Sequence, residues 1–259
     1  MENVAASLWQ SRSAVPDLPA ADLAAFTAQP LQAAAVHALT YMADIEGHTI
    51  VYLRELLATR AVDEPAVAGF LACWFYEESA HSRALAAVLS ASGHPLQPST
   101  RQTRGWRARL EAWGIAAASA TWPDFVAVHM TWGAINELTT LFAYRRLAIV
   151  ADHEPLAALL RRIVRDESRH FAFYYGQAEQ RLAASATARR VVRALIERFW
   201  APVGFAVRGD DLRTLADYLF SGRDGRSAIQ RIDRTIQRLP GFAAAPLVEA
   251  WLTRHASLS

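Results

Sequence analysis

The chain has 259 residues, is 53% hydrophobic and 10% aromatic, and carries a formal charge of only +2, which gives no compositional signal for nucleic-acid binding. No run of eighteen apolar residues is free of charge, so no membrane span is expected, and the opening MENVAASLWQ lacks the basic and apolar regions of a secretory signal. Cys73 is the single cysteine; an internal disulfide is impossible, and a reducing, cytoplasmic location is the expectation.

Taken in chain order, the elements read almost entirely as helix. Residues 1–30 are weakly patterned, contain Pro16, Pro19 and Pro30, and suggest an extended arm. Gln32 to Arg60 follows with apolar residues at three- and four-residue steps, placing Leu39, Met42, Ala43, Thr49, Ile50 and Leu53 on one face. Glu64 to Ser92 repeats the pattern and stops at Gly93, with Pro95 beyond it. Arg101 to Ala117 reads as a shorter crossover helix. Asp124 to Ala151 and Glu154 to Leu182 are two more long helices, the second entered through Asp152-His153-Glu154-Pro155. From about Thr187 the pattern is of shorter helices broken at Pro202-Val203-Gly204, Gly222 and Pro240-Gly241. No alternation typical of strands stands out. Four helices of about 28 residues, each roughly 42 Å long, predict an all-α, four-helix-bundle fold in a single domain. The arm would occupy 1–30, the core 31–183 and accessory helices 184–259.

Within this pattern one motif occurs twice. Residues 77–81 read EESAH and residues 166–170 read DESRH. Glu78 and His81, like Glu167 and His170, are three apart and share a helix face. That face is apolar in both copies, with Leu71, Trp74 and Leu85 around the first and Leu160, Ile163 and Tyr174 around the second. The other two long helices each place one acid among apolar neighbours, Glu46 beside Met42 and Ala43, and Glu137 beside Met130, Gly133 and Ala134. An unpaired carboxylate in such a setting is costly. Eight histidines in a chain with about 5% glutamate give roughly 0.4 Glu-x-x-His pairs by chance, so two core-facing copies are informative. Glu, Glu-x-x-His, Glu and Glu-x-x-His on four helices match the arrangement that holds two metal ions in di-iron carboxylate bundles. Oxygen and imidazole donors suit Fe or Mn, and two Fe²⁺ would neutralise four carboxylates. The metal-ligand set is therefore Glu46, Glu78, His81, Glu137, Glu167 and His170. Metal-bound imidazoles donate their other N–H to a carboxylate, and this predicts Glu77 paired with His170 and Asp166 with His81 across the bundle. His48 lies about 200° around its helix from Glu46 and should face away.

The residues EESAHS (77–82) and DESRHF (166–171) resemble the two signature motifs of the soluble acyl-(acyl carrier protein) desaturases, ferritin-like di-iron proteins. WQSRSAVPDLPA (Trp9 to Ala20), the NELTT that carries Glu137 and Thr140, and the C-terminal FSGRDGRSAIQRIDR are similar to stretches of the same family. Ala80 and Leu138 depart from it, each standing where the family has arginine. The resemblance implies a di-iron centre with O₂ as co-substrate, dehydrogenation of an acyl chain carried by acyl carrier protein, and a ferredoxin-type electron donor. It implies roles for Thr140 in the oxygen pocket and proton delivery, and for Trp9 and Asp166 on the electron route. A homodimer is expected. Gly133, Ala134 and Ala43 are the small residues expected to leave room for the chain. Basic stretches at Arg101–Arg109 and Arg226–Arg238 are candidate docking surfaces for an acidic carrier. Two alternatives remain at this stage: a di-iron hydroxylase or N-oxygenase, and a non-enzymatic ferritin-like iron-binding protein.

Overall fold

A computed structural model of the chain describes residues 18–96, 122, 124–244 and 246–255. Among them all regular structure is helical: α1 (Ala20–Ala28), α2 (Ala33–Leu56), a 3₁₀ turn (Arg60–Asp63), α3 (Pro65–Ala91), α4 (Phe125–Val150), α5 (Glu154–Ala184), α6 (Ala186–Phe199), α7 (Phe205–Phe220), α8 (Gly222–Ile236) and α9 (Leu247–His255). None of these helices is long and apolar enough to cross a membrane. Trp9, the basic stretch Arg101–Arg109 and the crossover helix expected over Arg101–Ala117 lie outside the described residues.

Local chemistry sets the helix ends. Pro65 opens α3, where its missing N–H costs nothing. The helix closes at Gly93 with φ 84°, and the His94 N–H returns to the Leu89 carbonyl at 2.8 Å, satisfying an end carbonyl. His153 caps α5: its Nδ1 accepts the Leu156 N–H at 3.2 Å, while its Nε2 lies 2.8 Å from the Gln29 carbonyl. Ser185 separates α5 from α6, accepting the Ala188 N–H at 3.0 Å and donating to Asp124 at 2.9 Å. Gly204, with φ 86°, lies so close to the Tyr41 hydroxyl and Ile45 that a Cβ there would sit 2.4 Å and 2.5 Å from them. Only glycine fits that turn.

The four long helices pack as two pairs, α2 along α3 and α4 along α5. Helices α7 and α8 lie over α4, α7 also reaches α2, and α9 packs on α8. The seam of α2 runs through Met42, Glu46, Thr49, Leu53 and Leu56, all buried. This 4-3-4-3 spacing leaves Ile50 just beside the seam and 39% exposed, correcting its expected place in the core. The described part of the expected extended arm also departs from expectation. Residues 20–28 are helical rather than extended, because α1 can bury Phe26, whose ring stacks 5.2 Å from that of His153.

Gly133 does not leave open space either. A Cβ there would fall 2.5 Å from the Tyr174 ring, so the missing side chain is already filled by a neighbouring helix. Gly133→Ala should therefore destabilise the fold by about 1–3 kcal/mol despite alanine's better helix propensity. Chemical denaturation checks this; an unchanged or raised midpoint would refute the close contact.

Candidate metal centre

Glu46 comes from α2, Glu78 and His81 from α3, Glu137 from α4, and Glu167 and His170 from α5. All six are buried. Their donor atoms form two groups, Glu46–Glu78–His81–Glu167 and Glu78–Glu137–Glu167–His170, and within each the atoms lie within 4.8 Å of one another. Glu78 and Glu167 belong to both groups. Glu46 and His81 belong to the first group alone, and Glu137 and His170 to the second alone.

The donor spacings are those expected of atoms that share a metal ion. His81 Nδ1 is 3.2 Å from Glu167 Oε1, and His170 Nδ1 is 3.1 Å from Glu78 Oε1. Yet these four buried atoms, together with Glu46 Oε2, have no hydrogen-bond partner. Two donors each about 2.1 Å from one ion, at angles of roughly 90–110°, are about 3.0–3.4 Å apart. Close, misaligned and buried atoms converging in this way fit a divalent cation in each group. Oxygen and imidazole donors suit Fe²⁺ or Mn²⁺.

The opposite edges of the ligands are held from behind. His81 Nε2 lies 3.1 Å from Asp166 Oδ2, and His170 Nε2 lies 2.7 Å from Glu77 Oε2, the cross-pairing expected from the doubled motif. With Nε2 carrying the proton, each Nδ1 lone pair is left facing the centre. Glu137 Oε1 accepts the Trp74 indole N–H at 3.0 Å, and Glu46 Oε1 accepts the Tyr144 hydroxyl. Glu137 and Glu46 thus each have one oxygen fixed by a buried aromatic donor. The Thr49 hydroxyl lies 3.5 Å from Glu78 Oε2, at the limit of a hydrogen bond.

Sequence reading placed Trp74 on the Glu78 face without a hydrogen-bond role, and gave Tyr144 and Arg169 no role at this site. A signal existed for the first two, since a core indole N–H or phenol needs a polar partner. Arg169 sits inside the second motif and bonds both outer acids. His48 turns away as expected, with its Nδ1 2.7 Å from the Asp44 carbonyl. The half-buried His129 ring is held well below its usual pKa, at about 4, by desolvation, and belongs to neither donor group.

Beside Glu46 an apolar cavity of about 740 Å³, counting its open mouth, lies between α2, α4 and the C-terminal helices. Thr140 and Ala143 line it from α4, Ala216 and Leu219 from α7, Ile232 from α8 and Trp251 from α9. Gly133, Ala134 and Ala43 are not among its walls. The space opens one turn after Glu137 rather than one turn before, because the earlier turn is packed by Tyr174. Comparisons of the chain with protein-family models, curated proteins and solved structures return no match.

Protons and metal ions compete for these groups. Burial pushes the Glu137 carboxyl up to about 8, with Glu167 adding to the push and His170 resisting it. Burial, then Glu46 and Glu167, raise Glu78 well above the carboxylate range. Burial opposes charge on His81 and His170, but the surrounding acids outweigh it and raise both imidazoles. Burial likewise opposes ionisation of Glu167, and the two neighbouring imidazoles overcome it and hold that carboxyl well below its ordinary value. Groups with raised values stabilise the fold fully at low pH and lose that contribution as pH rises through the folded value; Glu167 contributes above its ordinary value and loses that as pH falls. Metal-free protein should therefore lose several degrees of Tm between about pH 6 and about pH 9. Saturating Mn²⁺ should remove most of that loss. Differential scanning calorimetry of both forms checks it, and equal pH slopes would contradict the arrangement.

Proposed function

We propose that α2–α5 form a ferritin-like four-helix bundle around a di-iron centre. On this reading the protein is an O₂-dependent oxidoreductase that dehydrogenates an acyl chain borne on acyl carrier protein. The observation that carries this reading is two overlapping sets of buried donors, joined through Glu78 and Glu167, with Glu46 forming part of the wall of an apolar cavity. The resemblance of the two motifs and of NELTT to the desaturases supports the reaction class. An apolar cavity with Glu46 in its wall also favours substrate oxidation over iron storage.

Glu46 and Glu137 would be terminal ligands, Glu78 and Glu167 would be shared, and His81 and His170 would complete one ion each. Bound iron would supply the reduction of O₂ and the oxidising power for inert C–H bonds, chemistry that side-chain acids and bases lack. Overall, the acyl chain loses two hydrogens, a ferredoxin-type donor gives two electrons, two protons are taken up, and O₂ leaves as two waters. Asp166 and Glu77 hold the imidazoles in one tautomer. Thr140, in the cavity wall with Glu46, would hold a proton donor at the substrate side. The remaining walls exclude water and fix the chain against the centre.

The exposed face of α8 suggests where the carrier docks. Ile229 and Ile232 face the cavity, whereas Arg223, Arg226, Arg231 and Arg234 on α8, and Arg238 just beyond its end, are exposed. An acidic carrier bound there would lie against a cavity wall, and opposite charge chiefly raises the on-rate. Trp9 is proposed, on the resemblance alone, to serve the electron route together with Asp166.

The reading is tested by supplying iron-loaded protein with O₂, reduced ferredoxin and acyl-carrier substrates of several lengths, followed by intact-mass analysis. A product lighter by two hydrogens is expected. A product heavier by one oxygen would replace dehydrogenation with hydroxylation, and no product from any substrate would refute the acyl-oxidation reading. Ala143→Leu should cut turnover by roughly tenfold or more with iron content unchanged, by filling the space the chain needs. Paired Arg231→Glu and Arg234→Glu changes should raise KM for the carrier substrate at low salt and leave kcat nearly intact. An unaltered KM would remove α8 from the docking surface.

A further inference from the structure

The two outer acids share one guanidinium. Arg169 Nη2 donates to Glu77 Oε1 at 2.7 Å and to Asp166 Oδ1 at 2.5 Å. Each acid keeps its second oxygen for an imidazole, Glu77 for His170 and Asp166 for His81. His81–Asp166–Arg169–Glu77–His170 is therefore one continuous chain of charge-assisted contacts, and its two ends belong to different donor groups. The doubled motif does not repeat this element. Where the second copy has Arg169, the first has the buried Ala80. That position supplies no second cation, so both outer acids converge on the same nitrogen.

From this geometry we infer that Arg169 is the positioning residue that ties the two metal subsites together. It touches neither the ligand atoms nor the cavity. By pinning Glu77 and Asp166 at once, it sets the orientation of both histidines and offsets the charge of two closely spaced acids. The inference rests on the two-metal reading. It goes beyond that reading in making one side chain common to both ions. Its loss should loosen both ions together, whereas loss of one outer acid should loosen chiefly the ion of its own histidine.

Anaerobic titration of full-length protein with Co²⁺, followed by visible absorption and by bound-metal analysis, tests this. Wild-type protein should take up two ions. Arg169→Met should weaken both steps by about 10–100-fold, the usual effect of losing a group that supports a ligand. Arg169→Lys should recover much of the loss, because one nitrogen makes both contacts and an ammonium carries enough donors. Glu77→Gln and Asp166→Asn, which keep Arg169, should each weaken one step and leave the other near wild type; they also keep the question open to measurement if Arg169→Met does not fold. Weakening of one step only, or of neither, in Arg169→Met would overturn the inference while leaving the two-metal reading intact. So would equal weakening of both steps by either acid variant. Fewer than two ions in the wild type would overturn the two-metal reading itself, and the inference with it.

Discussion

Everything near the middle of this molecule answers to the mutual repulsion of four buried carboxylates. Glu46, Glu78, Glu137 and Glu167 are each less than a tenth exposed, and burial of such charges is costly unless cations or protons compensate them. The opposite directions taken by Glu137 and Glu167, the first raised to about 8 and the second held low, show how few ways the protein has to balance them. Divalent cations would remove the conflict, because they would neutralise the carboxylates without consuming the geometry that the surrounding helices impose. The long helices are needed for the same reason. The four donors of each group, drawn from three helices, are held by packing that does not depend on any ion.

That packing surrounds the centre with unlike environments. Behind the histidines lie Asp166, Glu77 and Arg169, partly reached by solvent through the arginine. Beside Glu46 lies the apolar cavity. On another flank Trp74 and Tyr174 meet edge to face at 6.0 Å, and Tyr52 meets Trp74 at 6.1 Å. The polar flank orients the imidazoles, the aromatic flank closes the space before Glu137, and the apolar side is open. The C-terminal helices matter because they make the outer wall of that side. Without Leu212, Leu215, Leu219 and Trp251 the space beside Glu46 would face water.

Much of this was legible in the sequence because it obeys helical periodicity. Glu-x-x-His twice, with an acid in front of each glutamate, specified both the donor faces and the cross-pairing of Glu77 with His170 and Asp166 with His81. Glu46 and Glu137 could be read from their apolar neighbours three and four residues away. What was not legible depended on interhelical depth. Ile50 has the spacing of a core residue but sits beside a 4-3-4-3 seam. Gly133 looks like room for a substrate, yet a ring from α5 fills it. The sharing of Arg169 between two acids requires knowing that Glu77 and Asp166 come within one guanidinium of each other, and no spacing along a single helix carries that. The helical turn at 20–28 was hidden by the prolines around it, because its stabilisation comes from burying Phe26 against α5 rather than from local pattern.

The central claim is that the buried donors hold two metal ions, joined through Glu78 and Glu167. Crystals grown from protein loaded anaerobically with Fe²⁺ and measured on either side of the iron absorption edge test it most directly. The account predicts two anomalous-scattering peaks, one among Glu46, Glu78, His81 and Glu167 and one among Glu78, Glu137, Glu167 and His170. A single peak, no peak, or iron bound at other residues would contradict it.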